Sequence, residues 1–293
     1  MNKGQIGVQM MMLKGKIDEI GIYATLHEVS KLGYRSVEVS QLAMSSDNVS
    51  ELKRASEDFG IHIAALTAAV EPVTPRMQGE TLSNDFDKIV QDCKTLNCRF
   101  LRIGILPFTS LGDKGKILDF VKKADELAGR LAENDIALYY HNHHVEFQKY
   151  DGKYLLDIIK DNTTHLGFEM DVHWIYRGGL NPAALIRKYA GRVSLIHLKD
   201  YRIGPVNMDF LQTGDMSKFR ENFHNIIQFA ELGEGSLDFK QIIDASLESG
   251  AKYFFVEQDD LYGRDPFDCL RVSGDHLRAL GYSEWFSLDN ADE

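Results

Sequence analysis

The sequence predicts an α/β chain closed as a (β/α)₈ TIM barrel, and three observations predict it. Eight short β-branched or aromatic stretches recur roughly every 35 residues, close to one βα unit each. The stretches are near-continuous apolar runs more than alternating ones, as parallel strands covered on both faces are. Amphipathic helical patterns fill the intervals. A doubly wound open sheet is the competing reading, but it has fewer strands and often a glycine-rich first turn, whereas this chain starts Gly7-Val8-Gln9-Met10-Met11. Residues 1–293 are read as a single domain.

The expected strands, in order, are Ile6–Met12, Ser36–Val39, Ile61–Thr67, Phe100–Ile105, Ile136–Tyr140, Leu166–Met170, Val193–Leu198 and Tyr253–Val256. Between them Phe86, Ile89, Val90, Cys93 and Leu96 keep 3–4 spacing, as do Leu118, Val121, Ala124, Leu127, Ala128 and Leu131. Leu185, Ile186 and Tyr189 make a shorter face, and Phe239, Ile242, Ile243 and Leu247 another. Gly33, Gly60, Gly191, Gly250 and Gly281 follow such faces, where helices stop. Asn181-Pro182 and Asp265-Pro266 read as helix starts with proline in the first turn. One connection breaks the rhythm. Residues 201–235 carry Phe219, Phe223, Ile226 and Ile227 at helical spacing, which predicts a helical excursion serving as a lid or specificity loop, or as a subunit contact.

Composition bounds the function. With 44% hydrophobic and 26% charged residues the chain is an ordinary globular protein, and no apolar run approaches the roughly 18 residues of a membrane span. Met1 to Lys14 lacks the pattern of a secretory signal, so a cytoplasmic location is expected. A formal charge of −11 repels phosphate backbones and argues against nucleic acid as partner, while leaving room for a local pocket that takes one small phosphate. Cys93, Cys98 and Cys269 form no CxxC pair and read as reduced, buried thiols.

In this fold chemistry sits where strands finish. The fifth stretch runs into His141-Asn142-His143-His144-Val145-Glu146, the sixth into Glu169-Met170-Asp171-Val172-His173-Trp174, the seventh into His197-Leu198-Lys199-Asp200, and the eighth into Glu257-Gln258-Asp259-Asp260. Acids and imidazoles in such places need a shared partner, and a divalent metal accepts both. Glu146, Asp171, His197 and Glu257 are the expected ligands. Three carboxylates with one histidine suit Mn²⁺, Co²⁺ or Mg²⁺ better than a structural Zn²⁺ site, although zinc stays within the set.

The segments HNHHVEF at His141–Phe147, EMDVHW at Glu169–Trp174, HLKDY at His197–Tyr201, VEQDD at Val256–Asp260 and LGEGSLDF at Leu232–Phe239 resemble those of the xylose-isomerase-like TIM barrels, the sugar phosphate isomerases/epimerases. The resemblance runs from about Ile6 to Leu280. It implies a metal-dependent enzyme acting on the carbonyl of a carbohydrate or polyol, with homo-oligomers common in the group. Many members place a metal-binding Glu at the end of the fifth strand, where this sequence reads Tyr140 or His141; Glu146 is therefore preferred as first ligand, with His141 as its substitute.

His143 is the expected acid/base, or else a group that only orients a ligand. Lys199, two residues past His197, is placed to stabilise an enediolate oxygen or to pair with Asp171 or Glu169. Glu257 is a second candidate base among the ligands. His141, His173, Trp174, Glu38 and Arg102 are the expected substrate contacts, although residues placed like the last two more often form an ion pair inside the barrel. The expected reaction is isomerisation or epimerisation of a sugar, keto-sugar or sugar phosphate through an enediolate. Elimination from a keto-sugar, keto-glycoside or keto-inositol shares its first step and is the alternative.

Overall fold

The computed structural model describes residues 3–287. Eight parallel strands close into a barrel with helices between them, a single-domain TIM barrel. In chain order the barrel strands are β1 (Gln5–Gln9), β2 (Ser36–Val39), β3 (His62–Thr67), β4 (Phe100–Ile103), β5 (Ala137–His141), β6 (Gly167–Asp171), β7 (Val193–Leu198) and β8 (Tyr253–Val256). β1 pairs with β8 from Gln5↔Tyr253 to Val8↔Val256, which closes the sheet and removes the open-sheet alternative.

Two expected strands end early. The first stops at Gln9, whose side chain accepts the Met11 N–H and turns Met10–Leu13 into a 3₁₀ helix. The fourth stops at Ile103, before Gly104. Outside the barrel, the helix Lys114–Ala132 buries Ile117, Phe120, Val121, Ala124, Leu127, Ala128 and Leu131 along one stripe, and Asp113 caps it by accepting the N–H groups of Gly115 and Lys116. Asn181 and Asp265 cap helices that open on Pro182 and Pro266, as the sequence predicts.

Residues two apart along a strand point into the barrel. Ala65, Tyr139, Leu195, Tyr253 and Phe255 form an apolar plug distinct from the main core. Gly7 makes room for it, because a Cβ there would stand 2.8 Å from the Phe255 ring. Above the plug the inward positions become polar, and the β6–β7 register sets Asp171 beside His197.

The long connection after β7 is a β-hairpin carrying two helices. Asp200–Ile203 pairs antiparallel with Ile227–Ala230, and the helices Asp209–Gln212 and Met216–His224 lie between. Phe219 and Phe223 are helical as expected; Ile226 and Ile227 are not, because the helix ends before Asn225 and Ile227 enters the ladder opposite Ile203. Asp200 ties the excursion down by accepting the N–H groups of Tyr201, Gly233, Gly235 and Leu237 at 2.7, 3.0, 3.0 and 3.1 Å. Only glycine fits at 235, where a Cβ would lie 2.3 Å from Asp200 Oδ1. Among the described residues no helix is long and apolar enough to cross a membrane.

Candidate active site

The C-terminal ends of β5 to β8 bring together His141, Asp171, His197 and Glu257, all buried, with one donor atom from each inside a 4.8 Å span. His197 Nδ1 is 2.6 Å from Glu257 Oε2, 3.0 Å from His141 Nε2 and 3.7 Å from Asp171 Oδ2, and His141 Nε2 is 3.5 Å from Asp171 Oδ2. Two donors held at right angles about 2.1 Å from one cation lie about 3.0 Å apart, so this spacing fits a divalent ion. Asp171 Oδ2 and Glu257 Oε2 are buried and face His197 and the Lys199 ammonium, so both carboxylates are held inside a cluster of charged groups. Burial and the neighbouring His197 ring lower His141 to about 4, leaving it a neutral donor. Burial raises Asp171 and Glu257, but the Lys199 ammonium outweighs it and keeps both ionised. Lys199 Nζ is 3.0 Å from Asp171, 2.9 Å from Glu257 and 2.6 Å from Asp259, realising the ion pair to Asp171 but not to Glu169.

One layer deeper, His197 Nε2 lies 3.1 Å from Glu38 Oε1 and 3.2 Å from Glu169 Oε1. Arg102 Nε is 2.6 Å from Glu38 and 3.5 Å from Glu169, so Glu38 and Arg102 form an ion pair inside the barrel, while Arg102 also lines the cavity at its mouth. Burial and the charge of Glu38 push Glu169 up to about 8; burial acts on Glu38 too, but Arg102 and His197 hold it at about 2. The two acids thus fix the His197 ring from behind with Nδ1 toward the cluster.

The loop after β5 separates the two first-ligand candidates. Glu146 is buried in the 3₁₀ turn Val145–Phe147, which folds its carboxylate back onto β5: Oε1 accepts the Tyr140 O–H and Oε2 the His143 N–H, each at 2.7 Å. The structure therefore brings His141 to the cluster and not Glu146. Burial pushes Glu146 up to about 7. His143 is half-buried, its ring 4.7 Å from that of His141 and its Nδ1 without a partner. Burial, reinforced by His141 and Lys199, holds it well below the usual histidine range, so it is a neutral imidazole with a free nitrogen.

His173 and Trp174 take a different place from the one expected. β6 ends at Asp171, whose Oδ1 accepts the Trp174 N–H at 3.0 Å and starts the helix Val172–Arg177, so the alternation that would aim His173 with Asp171 stops there. His173 Nδ1 donates to the Asp200 carbonyl at 2.8 Å, and the Phe229 ring of the hairpin lies 4.5 Å from His173 and 5.6 Å from Trp174. The hairpin thus covers the β6–β7 half of the barrel mouth. Across the other half opens a cavity of about 820 Å³ that reaches Arg102, His141, His143, Glu257 and Asp259 but not His173, Trp174 or Glu38. Two residues of the site, Asp259 and Asn142, lie outside the set the sequence predicts. Asp259 stands two residues past Glu257, the same period that relates Lys199 to His197. Asn142, which accepts the Asp171 N–H at 3.0 Å, carries no sequence signal of its role.

Residues 26–271 match the family described as xylose isomerase-like TIM barrel. Among solved structures, a sugar phosphate isomerase/epimerase from Parabacteroides distasonis superposes with a TM-score of 0.74 and 19% identity over 96% of this chain and 99% of its own. The 3-keto-D-glucoside 4-epimerase of E. coli gives 0.65 and 14% over 94% and 100%. The probable 3-DHS dehydratase of Bacillus anthracis gives 0.66 and 11% over 94% and 98%. Likeness at these identities is likeness of fold. No curated protein matches the sequence significantly.

Proposed function

This chain belongs to the xylose isomerase-like TIM-barrel family, and from that premise we propose that it is a divalent-metal-dependent isomerase or epimerase acting on a ketose or keto-sugar through an enediolate. The observation that carries the reading is the meeting of His141, Asp171, His197 and Glu257 on the face where barrel loops build active sites. These four would hold the cation, which when bound polarises a substrate carbonyl. Two imidazoles beside two carboxylates favour Mn²⁺, Co²⁺ or Zn²⁺ over Mg²⁺. The free Nδ1 of neutral His143 takes the proton from the carbon beside the carbonyl and returns it. Lys199, ion-paired with Asp171, Glu257 and Asp259, holds the two carboxylate donors ionised and in place. Glu38 and Glu169 keep the His197 ring from turning.

A second reading, elimination from a keto-sugar, keto-glycoside or keto-inositol, is favoured by one feature. β5 ends in an imidazole where many relatives have a carboxylate, which leaves one fewer carboxylate to move a proton on the second face of the substrate. Substrate deuterated beside its carbonyl tests the shared first step: label is expected to wash into water, to need the cation, and to stay put with chelator. Turnover that persists undiminished after chelation would remove the proposal, and product analysis separates epimer from elimination product.

A further inference from the structure

The two helices of the excursion, Asp209–Gln212 and Met216–His224, contain no buried residue. Yet Met216, Phe219 and Phe223 recur at helical spacing and share one face, with the last two rings 6.3 Å apart. Ten large apolar residues are exposed among the described residues, and five of them, Ile203, Met208, Leu211, Met216 and Phe223, fall within residues 203–223. Each of the five is between 42% and 59% exposed, so its own barrel does not cover it.

The area is that of an interface. At about half exposure, five residues of about 200 Å² each leave roughly 500 Å² of apolar surface in water. That is near the upper end of the largest patch on an ordinary monomer, about 300–600 Å². A standard interface takes about 800 Å² from each partner, and about 56–65% of it is apolar. The excursion supplies that apolar share by itself.

Charge says what covers it. Residues 203–226 carry Asp209, Asp215 and Glu221 against Lys218 and Arg220, a balance of 2 − 3 = −1 in a chain of −11. Lipid headgroups and nucleic acid, both anionic, gain nothing from such a face, whereas an acidic chain meets a copy of itself there with little repulsion. Among the described residues Lys218–Asp215 at 3.4 Å is the one ion pair inside the excursion, which leaves Arg220, Asp209 and Glu221 unengaged. Arg220, four residues past Met216 and three before Phe223, stands on the apolar stripe itself, while Glu221 lies about 100° round the helix from it. A cation on an apolar stripe calls for an acid from across the contact. A two-fold axis that sets Arg220 on the partner's Asp209 sets Asp209 on the partner's Arg220, so one pairing is made twice.

We propose that this face is an interface between two copies of the chain, closed by Met216, Phe219 and Phe223 and registered by Arg220 of each copy on Asp209 of the other. The hairpin it belongs to covers the β6–β7 half of the barrel mouth through Phe229, so pairing holds that cover in place. The inference is independent of which reaction the site runs.

The test is sedimentation velocity of the full chain, loaded with Mn²⁺, read beside amide exchange. Between about 0.1 and 100 µM the wild type is expected to pass from monomer to dimer, with a dissociation constant of about 1–10 µM. Exchange over Met216–His224 should slow about tenfold or more across that range. Phe223→Asp changes an exposed side chain, where folding is not at risk, and should raise the dissociation constant about 100-fold or more, because a two-fold interface holds every substitution twice. Arg220→Glu and Asp209→Arg should each raise it about tenfold or more. An equimolar mixture of those two variants should pair within about threefold of the wild type, since both contacts of the mixed dimer again join opposite charges. A wild-type chain that stays monomeric at about 100 µM, or a dimer that Phe223→Asp leaves within about threefold, would overturn the proposal. Failure of the mixture to pair would overturn the contact of Arg220 with Asp209.

Discussion

Replacing His141 by Ala and, separately, Glu146 by Gln distinguishes the two residues that compete for the ligand position of the fifth strand. His141 Nε2 stands 3.0 Å from His197 Nδ1 and 3.5 Å from Asp171 Oδ2, so its removal deletes one of four converging donors. Groups that only orient a ligand typically cost about 10- to 100-fold in metal affinity when changed, so loss of a donor should weaken Mn²⁺ binding by about 100-fold or more, at least about 2.8 kcal/mol. Glu146→Gln keeps the side-chain volume and the acceptor for Tyr140, but it sets an amide NH₂ against the His143 N–H that Oε2 now receives. That mismatch should cost about 1–3 kcal/mol of stability. The melting temperature should fall by about 2–4 °C per kcal/mol, while Mn²⁺ affinity stays within about fivefold because Glu146 touches no donor. Titration of the metal-free variants with Mn²⁺, paired with melting scans, reads both quantities. Normal Mn²⁺ binding by His141→Ala together with its loss in Glu146→Gln would refute the ligand set.

His143→Ala should slow turnover by about 10²- to 10⁴-fold with bound Mn²⁺ unchanged; a loss under about tenfold would reduce His143 to an orienting role. Asp200→Ala strips the acceptor from four N–H groups and should cost the hairpin about 2–4 kcal/mol after water replaces part of the loss. Amide exchange over Ile227–Ala230 should then rise about 100-fold with little change in global melting, and wild-type exchange rates would contradict the clamp.

What was legible in the sequence follows from which physical signals are local. The apolar-rich runs at Val193–Leu198 and Tyr253–Val256 match their strands to the residue, because strands buried on both faces carry apolar side chains in both directions. His197 and Lys199 converge because the strand alternation carries from one to the other. The same rule misleads at His173, since Asp171 is at once a donor of the cluster and the cap that starts a helix. Ligand chemistry alone prefers Glu146 over His141, whereas the place of Glu146 is set by a 3₁₀ turn whose return onto Tyr140 has no periodic signature. The pairing of Ile227 with Ile203 across the excursion is likewise a contact distant in sequence, invisible to a spacing argument that counts Ile226 and Ile227 with Phe223.

The hairpin after β7 leaves and re-enters at one rung: Ile203 and Ile227 face each other, and the Gly204 N–H donates to the Ile226 carbonyl at 2.6 Å. Everything from 204 to 226 therefore hangs from the barrel as a detachable module. Doubling the length of such a segment costs only about 0.6 kcal/mol in closure entropy, and the exchange leaves the registers of β7 and β8 undisturbed. Phe229 and Asp200, which press on His173 and clamp the return, lie on the ladder side of that rung and stay behind when the module is traded. Descendants of this chain are thus free to remodel the roof over the β6–β7 half of the mouth without disturbing a single donor of the cluster, so that the reaction centre and its cover evolve as separately heritable parts.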